Sequence, residues 1–230
     1  MKNIIVVSAS ILTTALATEN ALAESSWDGP YVGLSVGYAD GKLKGADSIL
    51  NEDALYYGIP SNPKPSGTEF GLFAGYNHTL LNNDIIGGIE VAYDTKTIDD
   101  STTAPSGTFP RTADTSIKNR ASFTAKLGYA ISGSLMPYMN FGGVVGKTYF
   151  NVSPDGNINS DFTPAYDKKT TWGTLVGVGV DYKVSSNCFL RTSYNQIKFD
   201  KTNYFNPLLF LAPKQHFILD EFKIGVGYSF

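Results

Sequence analysis

The stretch 222-FKIGVGYSF-230 sets Phe222, Ile224, Val226, Tyr228 and Phe230 at every second position, with Lys223, Gly225, Gly227 and Ser229 between them. Successive side chains of a β-strand point to opposite faces. This spacing therefore predicts a strand with one bulky apolar face and one small or charged face. A terminus in water ordinarily frays in polar residues. The fold turns on which solvent meets the five apolar side chains.

The pattern recurs. Related pieces stand at 33-GLSVGYA-39, 71-GLFAGYN-77, 125-AKLGYA-130 and 177-GVGVDYK-183, and Tyr76, Tyr129 and Tyr182 are equally spaced. Eight strand segments follow, at 30–40, 68–78, 85–96, 116–130, 137–147, 170–183, 189–199 and 217–230. Most reach the roughly 9–11 residues that a tilted strand needs to cross a bilayer. The connections 79–84, 131–136 and 184–188 are short, whereas 41–67, 97–115, 148–169 and 200–216 are long, polar and rich in proline. Short turns at one end and long loops at the other are how an up-and-down outer-membrane barrel treats its two faces. No stretch between the long connections is large enough to hold a core of its own.

The 230 residues carry a formal charge of −3, which offers no basic footprint for nucleic acid. A single cysteine, Cys188, excludes an internal disulfide. A short positive start at 1–3, a mostly apolar 4–17 and the small-x-small Ala21-Leu22-Ala23 read as a secretory signal peptide over 1–23. The remaining domain is 24–230. No later segment has the apolar length of a transmembrane helix.

The two faces differ in character. Ile85, Ile89, Val91 and Tyr93 oppose Glu90 and Asp94. Phe123, Ala125, Leu127 and Tyr129 oppose Lys118, Arg120, Ser122, Thr124 and Lys126. Trp172, Val176, Val178, Val180 and Tyr182 oppose Gly173, Gly177, Gly179 and Asp181, while Leu190 and Tyr194 oppose Arg191, Ser193 and Asn195. Glycine weakens a strand and has little use on a face that meets bulk water. A narrow lumen needs small side chains. On that face Glu90, Asp94, Asp181 and Glu221 balance Lys118, Arg120, Lys126, Arg191 and Lys223, as a dry interior requires. The bulky face then meets lipid. With the N-terminus in the periplasm, Tyr76, Tyr129, Tyr182, Tyr228 and Phe230 form an inner girdle, and Tyr38, Tyr93, Trp172 and Tyr194 an outer one.

The run Trp27-Asp28-Gly29-Pro30-Tyr31-Val32-Gly33, the Gly-Tyr strand ends and the closing Tyr228-Ser229-Phe230 resemble the small, porin-like outer-membrane β-barrels of Gram-negative bacteria. The nearest likeness is to alphaproteobacterial surface-antigen and hemin-binding outer-membrane proteins, with the fold of the OmpA and OmpX barrels. The resemblance covers the chain beyond the signal peptide. It implies an eight-stranded antiparallel transmembrane barrel in the outer membrane, among lipid and lipopolysaccharide. It also implies that Tyr228 and Phe230 are read by the barrel-assembly machinery.

Eight strands leave an interior that side chains fill. This predicts a plugged barrel, with a narrow channel as the alternative. Catalysis needs a nucleophile and base together. His78 and His216 fall at opposite ends of the barrel, and Asp99, Asp100, Asp155, Asp161 and Asp200 read as solvated loop carboxylates. No catalytic, cofactor or metal site is expected. Binding through the loops is the better prospect. The segment 203-NYFNPLLFLAP-213 puts Tyr204, Phe205, Leu208, Leu209, Phe210 and Leu211 in an outward loop, either as an apolar contact patch for a host or surface ligand or as a cap on the barrel mouth. The hemin-binding relatives suggest a receptor with His216 and Tyr204, Tyr56, Tyr57 or Tyr166 as heme ligands. Cys188 reads as an inert thiol beside lipid. The expectation is a non-catalytic surface protein with a membrane-structural, adhesion or antigen role.

Overall fold

The computed structural model describes residues 27–44, 66–81, 84–95, 98–104, 111–154, 165–200, 202–203 and 214–230; for some strand residues, Lys118 and His216 among them, it describes the backbone alone. The strands are β1 (Gly29–Lys44), β2 (Ser66–Leu81), β3 (Ile85–Thr95), β4 (Ile98–Ala104), β5 (Arg111–Tyr129), β6 (Leu135–Pro154), β7 (Ala165–Lys183), β8 (Cys188–Phe199), β9 (Thr202–Asn203) and β10 (Lys214–Ser229). Eight of them, all but β4 and β9, form the wall, each antiparallel to the next. β10 pairs back onto β1 from Tyr31↔Ser229 to Lys44↔His216, so the sheet closes and no wall edge is left open.

Direct partners lead from Tyr31 through Gly75, Glu90, Thr124, Gly142, Leu175, Ile197 and Leu219 back to β1 at Gly41. That displacement, from 31 to 41, is the stagger that tilts the strands against the barrel axis. A step along the ladder from β1 towards β2 therefore also climbs towards the end that carries the long connections.

The alternation places side chains as the sequence predicts. On β8, Phe189, Arg191, Ser193, Asn195, Ile197 and Phe199 are buried and the intervening residues exposed. Phe222, Ile224, Val226, Tyr228 and Phe230 all face outward, and so do Leu127, Val176 and Val178. The girdle residues Tyr38, Tyr93, Trp172 and Tyr194, and Tyr76, Tyr129, Tyr228 and Phe230, are likewise exposed, with Tyr182 half-buried. Apolar residues ring the outside, and charge lies within. This wall is built for a hydrocarbon solvent.

Two expectations need correction. The segments 97–115 and 148–169 are not loops throughout: β4 pairs with β5 from Ile98↔Ile117 to Ala104↔Arg111, and β6 pairs with β7 out to Val152↔Ala165. The backbone ladder itself needs no apolar alternation, so the sequence pattern ends before the strands do. Lys118 also falls out of step with Arg120. Lys118 pairs with Lys147 and Arg120 with Gly146, which leaves Asn119 as an inserted residue with φ 47°. Asparagine tolerates this left-handed conformation, and a one-residue insertion flips the alternation beyond it.

Four interior aromatics explain much of the glycine. Tyr31 lies directly opposite Gly75, Phe73 opposite Gly33, Tyr138 opposite Gly179 and Phe189 opposite Gly227. A Cβ at Gly227 would sit 2.1 Å from the Phe189 ring, and one at Gly75 2.4 Å from the Tyr31 hydroxyl. Each ring occupies the volume its partner gives up.

Candidate functional site

The lumen is the one place in the described structure where charged side chains converge. It is built in layers from the end with the short turns. There Trp27 packs on Ile86 and Met136, and the Lys183 ammonium lies 4.7 Å from the Trp27 ring centre. At the same rim, Asp28 accepts hydrogen bonds from the Thr79 amide and, at 2.8 Å, from its hydroxyl. His78 Nδ1 stands 3.9 Å from Asp28, exposed.

Above this lies a first ionic layer. The Arg191 Nε and Nη2 donate to Asp181 at 2.8 and 2.9 Å, and Nη1 donates to Glu90 at 2.6 Å. Lys126 donates to the same Asp181 at 2.6 Å, and Tyr31 Oη donates to Glu90 at 2.7 Å. The guanidinium is sheathed by rings, with its carbon 4.3 Å from the centre of Phe73 and 5.3 Å from that of Tyr138. Two acids and two bases cancel.

Next comes a polar cavity of about 40 Å³, lined in part by Ser35, Ser122, Thr124, Asn140, Ser193 and Asn195. That volume holds only a few water molecules. Asn140 donates to Asn195 across it at 3.3 Å.

The second ionic layer follows. Arg120 meets Glu69 at 2.5 Å, Asp94 at 3.5 Å and Glu221 more closely still. Lys223 meets Asp94 at 2.8 Å and both Glu69 and Glu221 at 3.2 Å. The Glu221 oxygens approach these cations as charges without hydrogen-bond alignment. On the facing side of the lumen the same level is apolar, filled by Ala39, Val144, Leu175, Ile197, Phe199 and Leu219.

These ion pairs run across the cylinder as well as along its wall. Arg191 on β8 reaches Glu90 on β3, Lys223 on β10 reaches Asp94 on β3, and Arg120 on β5 reaches Glu69 on β2. The side chains thus fill the bore as eight strands require. Of the charges assigned inward from sequence, Glu90, Asp94, Asp181, Glu221, Arg120, Lys126, Arg191 and Lys223 are in these layers; the side chain of Lys118 lies outside the described residues, and its backbone is out of register with Arg120. Sequence reading missed Glu69 and Lys183. Both continue the inward parity of their strands, Glu69 with Gly71 and Phe73, Lys183 with Asp181, and that parity was the signal available.

The loop candidates fare differently. His216 pairs by backbone with Lys44 at the long-connection end, far from His78, which pairs with Gly87 near the short turns. Tyr56, Tyr57, Asp155, Asp161, Tyr204, Phe205, Leu208, Leu209, Phe210 and Leu211 lie outside the described residues, as do the side chains of Asp99, Asp100, Tyr166 and His216. The Asp200 amide donates to the Trp172 carbonyl at 2.8 Å. Cys188 is a free, half-buried thiol at the start of β8.

Comparison with known proteins gives a consistent setting. The family model described as an outer membrane protein beta-barrel domain matches residues 8–230. A 31 kDa outer-membrane immunogenic protein of Brucella melitensis is 28% identical over 247 residues, covering 100% of both chains. A 25 kDa outer-membrane immunogenic protein of Brucella canis is 23% identical over 248 residues, covering 100% of this chain and 99% of that one. Among solved structures, the outer membrane protein OprG of Pseudomonas aeruginosa aligns over 91% of this chain and 99% of its own, with 16% identity and a TM-score of 0.48.

Proposed function

This chain belongs to the outer-membrane β-barrel domain family, and from that premise we propose that it is a non-catalytic surface protein whose closed barrel anchors loops for adhesion or antigenic display. The observation that carries this reading is the set of ion pairs spanning the lumen, β8 to β3 and β10 to β3. A channel would need those charges apart and hydrated, whereas here they are paired across the bore, two acids with two bases in the first layer and three carboxylates with two cations in the second. The same pairing occupies the buried carboxylates and cations that a reaction would use. The relatives named as immunogenic outer-membrane proteins support display at the surface.

Three further parts belong to this proposal. Residues 1–23 act as a cleaved signal peptide. The final strand, through Tyr228 and Phe230, is recognised by the barrel-assembly machinery. Lipopolysaccharide and other outer-membrane lipids surround the wall, and the long loops meet a surface or host ligand.

The test is conductance across a planar bilayer of refolded protein, checked for folding by heat-dependent gel mobility. The plugged barrel gives no resolved openings. Steady single-channel openings from folded protein would replace this reading with the narrow channel.

A further inference from the structure

The two ionic layers differ in their charge count. In the first, Arg191 and Lys126 balance Asp181 and Glu90. In the second, Arg120 and Lys223 face three carboxylates, those of Glu69, Asp94 and Glu221. All three carboxylates are buried, Glu221 completely. One negative charge is left over in a dry site, where an uncompensated charge is costly.

The surroundings do not supply the missing positive charge. The described side chains that fill the same level from β1, β6, β7 and β8 are Ala39, Val144, Leu175, Ile197 and Phe199, with Leu219 of β10 beside them, all apolar. Across the polar cavity stand Arg191, Glu90, Lys126 and Asp181, already in balance, and Lys183 lies beyond them against Trp27. The carboxylates themselves are left with spare acceptors. Neither oxygen of Glu221 accepts a hydrogen bond, nor does Glu69 Oε1 or Asp94 Oδ1. One oxygen from each of the three residues lies within 4.8 Å of the other two. Carboxylates that share a water-poor site keep a proton between them rather than ionise together. A metal ion suits the site less well. Arg120 Nη2 and Lys223 Nζ each already touch all three acids, so the centre is filled, and a divalent ion would exceed the single missing charge.

We propose that the second ionic layer is a proton-binding site, in which Glu69, Asp94 and Glu221 together hold one proton at neutral pH. The acid O–H donates to a neighbouring carboxylate oxygen, and the layer becomes neutral. The plug is then pH-sensitive in one direction. In the unfolded chain the same carboxyls meet water and release their protons above about pH 4. Folding at neutral pH therefore takes up a proton, and stability falls as pH rises above that range until the barrel itself loses the proton. This inference concerns the interior of the barrel and is independent of what the loops bind.

The experiment is infrared spectroscopy of full barrels refolded in an alkyl maltoside detergent, which carries no carbonyl, with folding checked by heat-dependent gel mobility. At neutral pH the folded parent shows the carbonyl stretch of a protonated carboxylic acid, which shifts in heavy water and disappears on unfolding. Glu69→Gln, Asp94→Asn and Glu221→Gln each leave two carboxylates against two cations, and each abolishes that band. Asp220→Asn, at the outer rim beside Tyr194, keeps it. Urea unfolding at rising pH gives a second readout: the unfolding equilibrium constant of the parent, relative to that of Asp94→Asn, grows about tenfold per pH unit, as one proton requires. A folded parent without the band, or a band that survives all three amide variants, would overturn the site. So would a parent without the band whose stability rises when sodium replaces choline at fixed ionic strength, which would put a metal ion in the proton's place.

Discussion

Removing the Arg191 cation should unbalance the first ionic layer in a way that a second, apparently damaging substitution repairs. Arg191 is 5% exposed and makes three hydrogen bonds, two to Asp181 and one to Glu90. In Arg191→Met the side chain still fills space against Phe73 and Phe189. Asp181 and Glu90 then face Lys126 alone, one negative charge in excess in a sealed lumen. Breaking a buried pair from one side costs about 3–5 kcal/mol. Adding Glu90→Gln removes the surplus charge, keeps an acceptor for the Tyr31 hydroxyl and leaves Lys126 with Asp181 as a neutral pair. That second change should restore about 1–3 kcal/mol, the penalty of an uncompensated buried group. Glu90→Gln alone destabilises, since it leaves two cations against Asp181. Urea unfolding of barrels refolded in vesicles, read by gel mobility, gives all three values. Equal stability of Arg191→Met and its Glu90→Gln double variant would refute charge balance as the rule of this interior.

Two other outcomes follow from the same geometry. Gly227→Ala drives its Cβ into the Phe189 ring and should cost about 1–3 kcal/mol by overpacking; pairing it with Phe189→Leu should cost less than the two changes summed, as measured by the same unfolding assay. Val178→Lys places a charge midway between Tyr182 and Trp172 on the outward face and should cost about 2–4 kcal/mol, against about 0–1 kcal/mol for Thr174→Lys near the outer rim.

Much of the wall was legible because a membrane barrel enforces period two on both faces at once. Ile224, Val178 and Leu127 had to be apolar for lipid, and Gly75, Gly179 and Gly227 had to be small for the rings opposite them. The closing pattern of β10 therefore revealed its orientation unaided. The strand extensions were not legible, since Arg111–Thr115 and Thr148–Pro154 show no apolar alternation in the sequence. The bulge was hidden for a related reason: Asn119 is an ordinary polar residue in sequence, and only the register shows that it is inserted. Glu69 stands near the start of β2, and its inward side follows only from the parity it shares with Gly71 and Phe73. Which acid meets which base was beyond reach as well, because Arg191–Glu90 joins strands on opposite sides of the bore, and that distance depends on the stagger.

Hydrocarbon bathing the outward face is the central claim, and spin labels placed singly at Leu127, Val178 and Ile224 in vesicle-inserted protein test it most directly. Dissolved oxygen, which concentrates in lipid, should relax all three labels strongly, while a water-soluble nickel chelate leaves them untouched. Strong relaxation by the chelate together with protection from oxygen would place that face in water and contradict the barrel's inside-out construction.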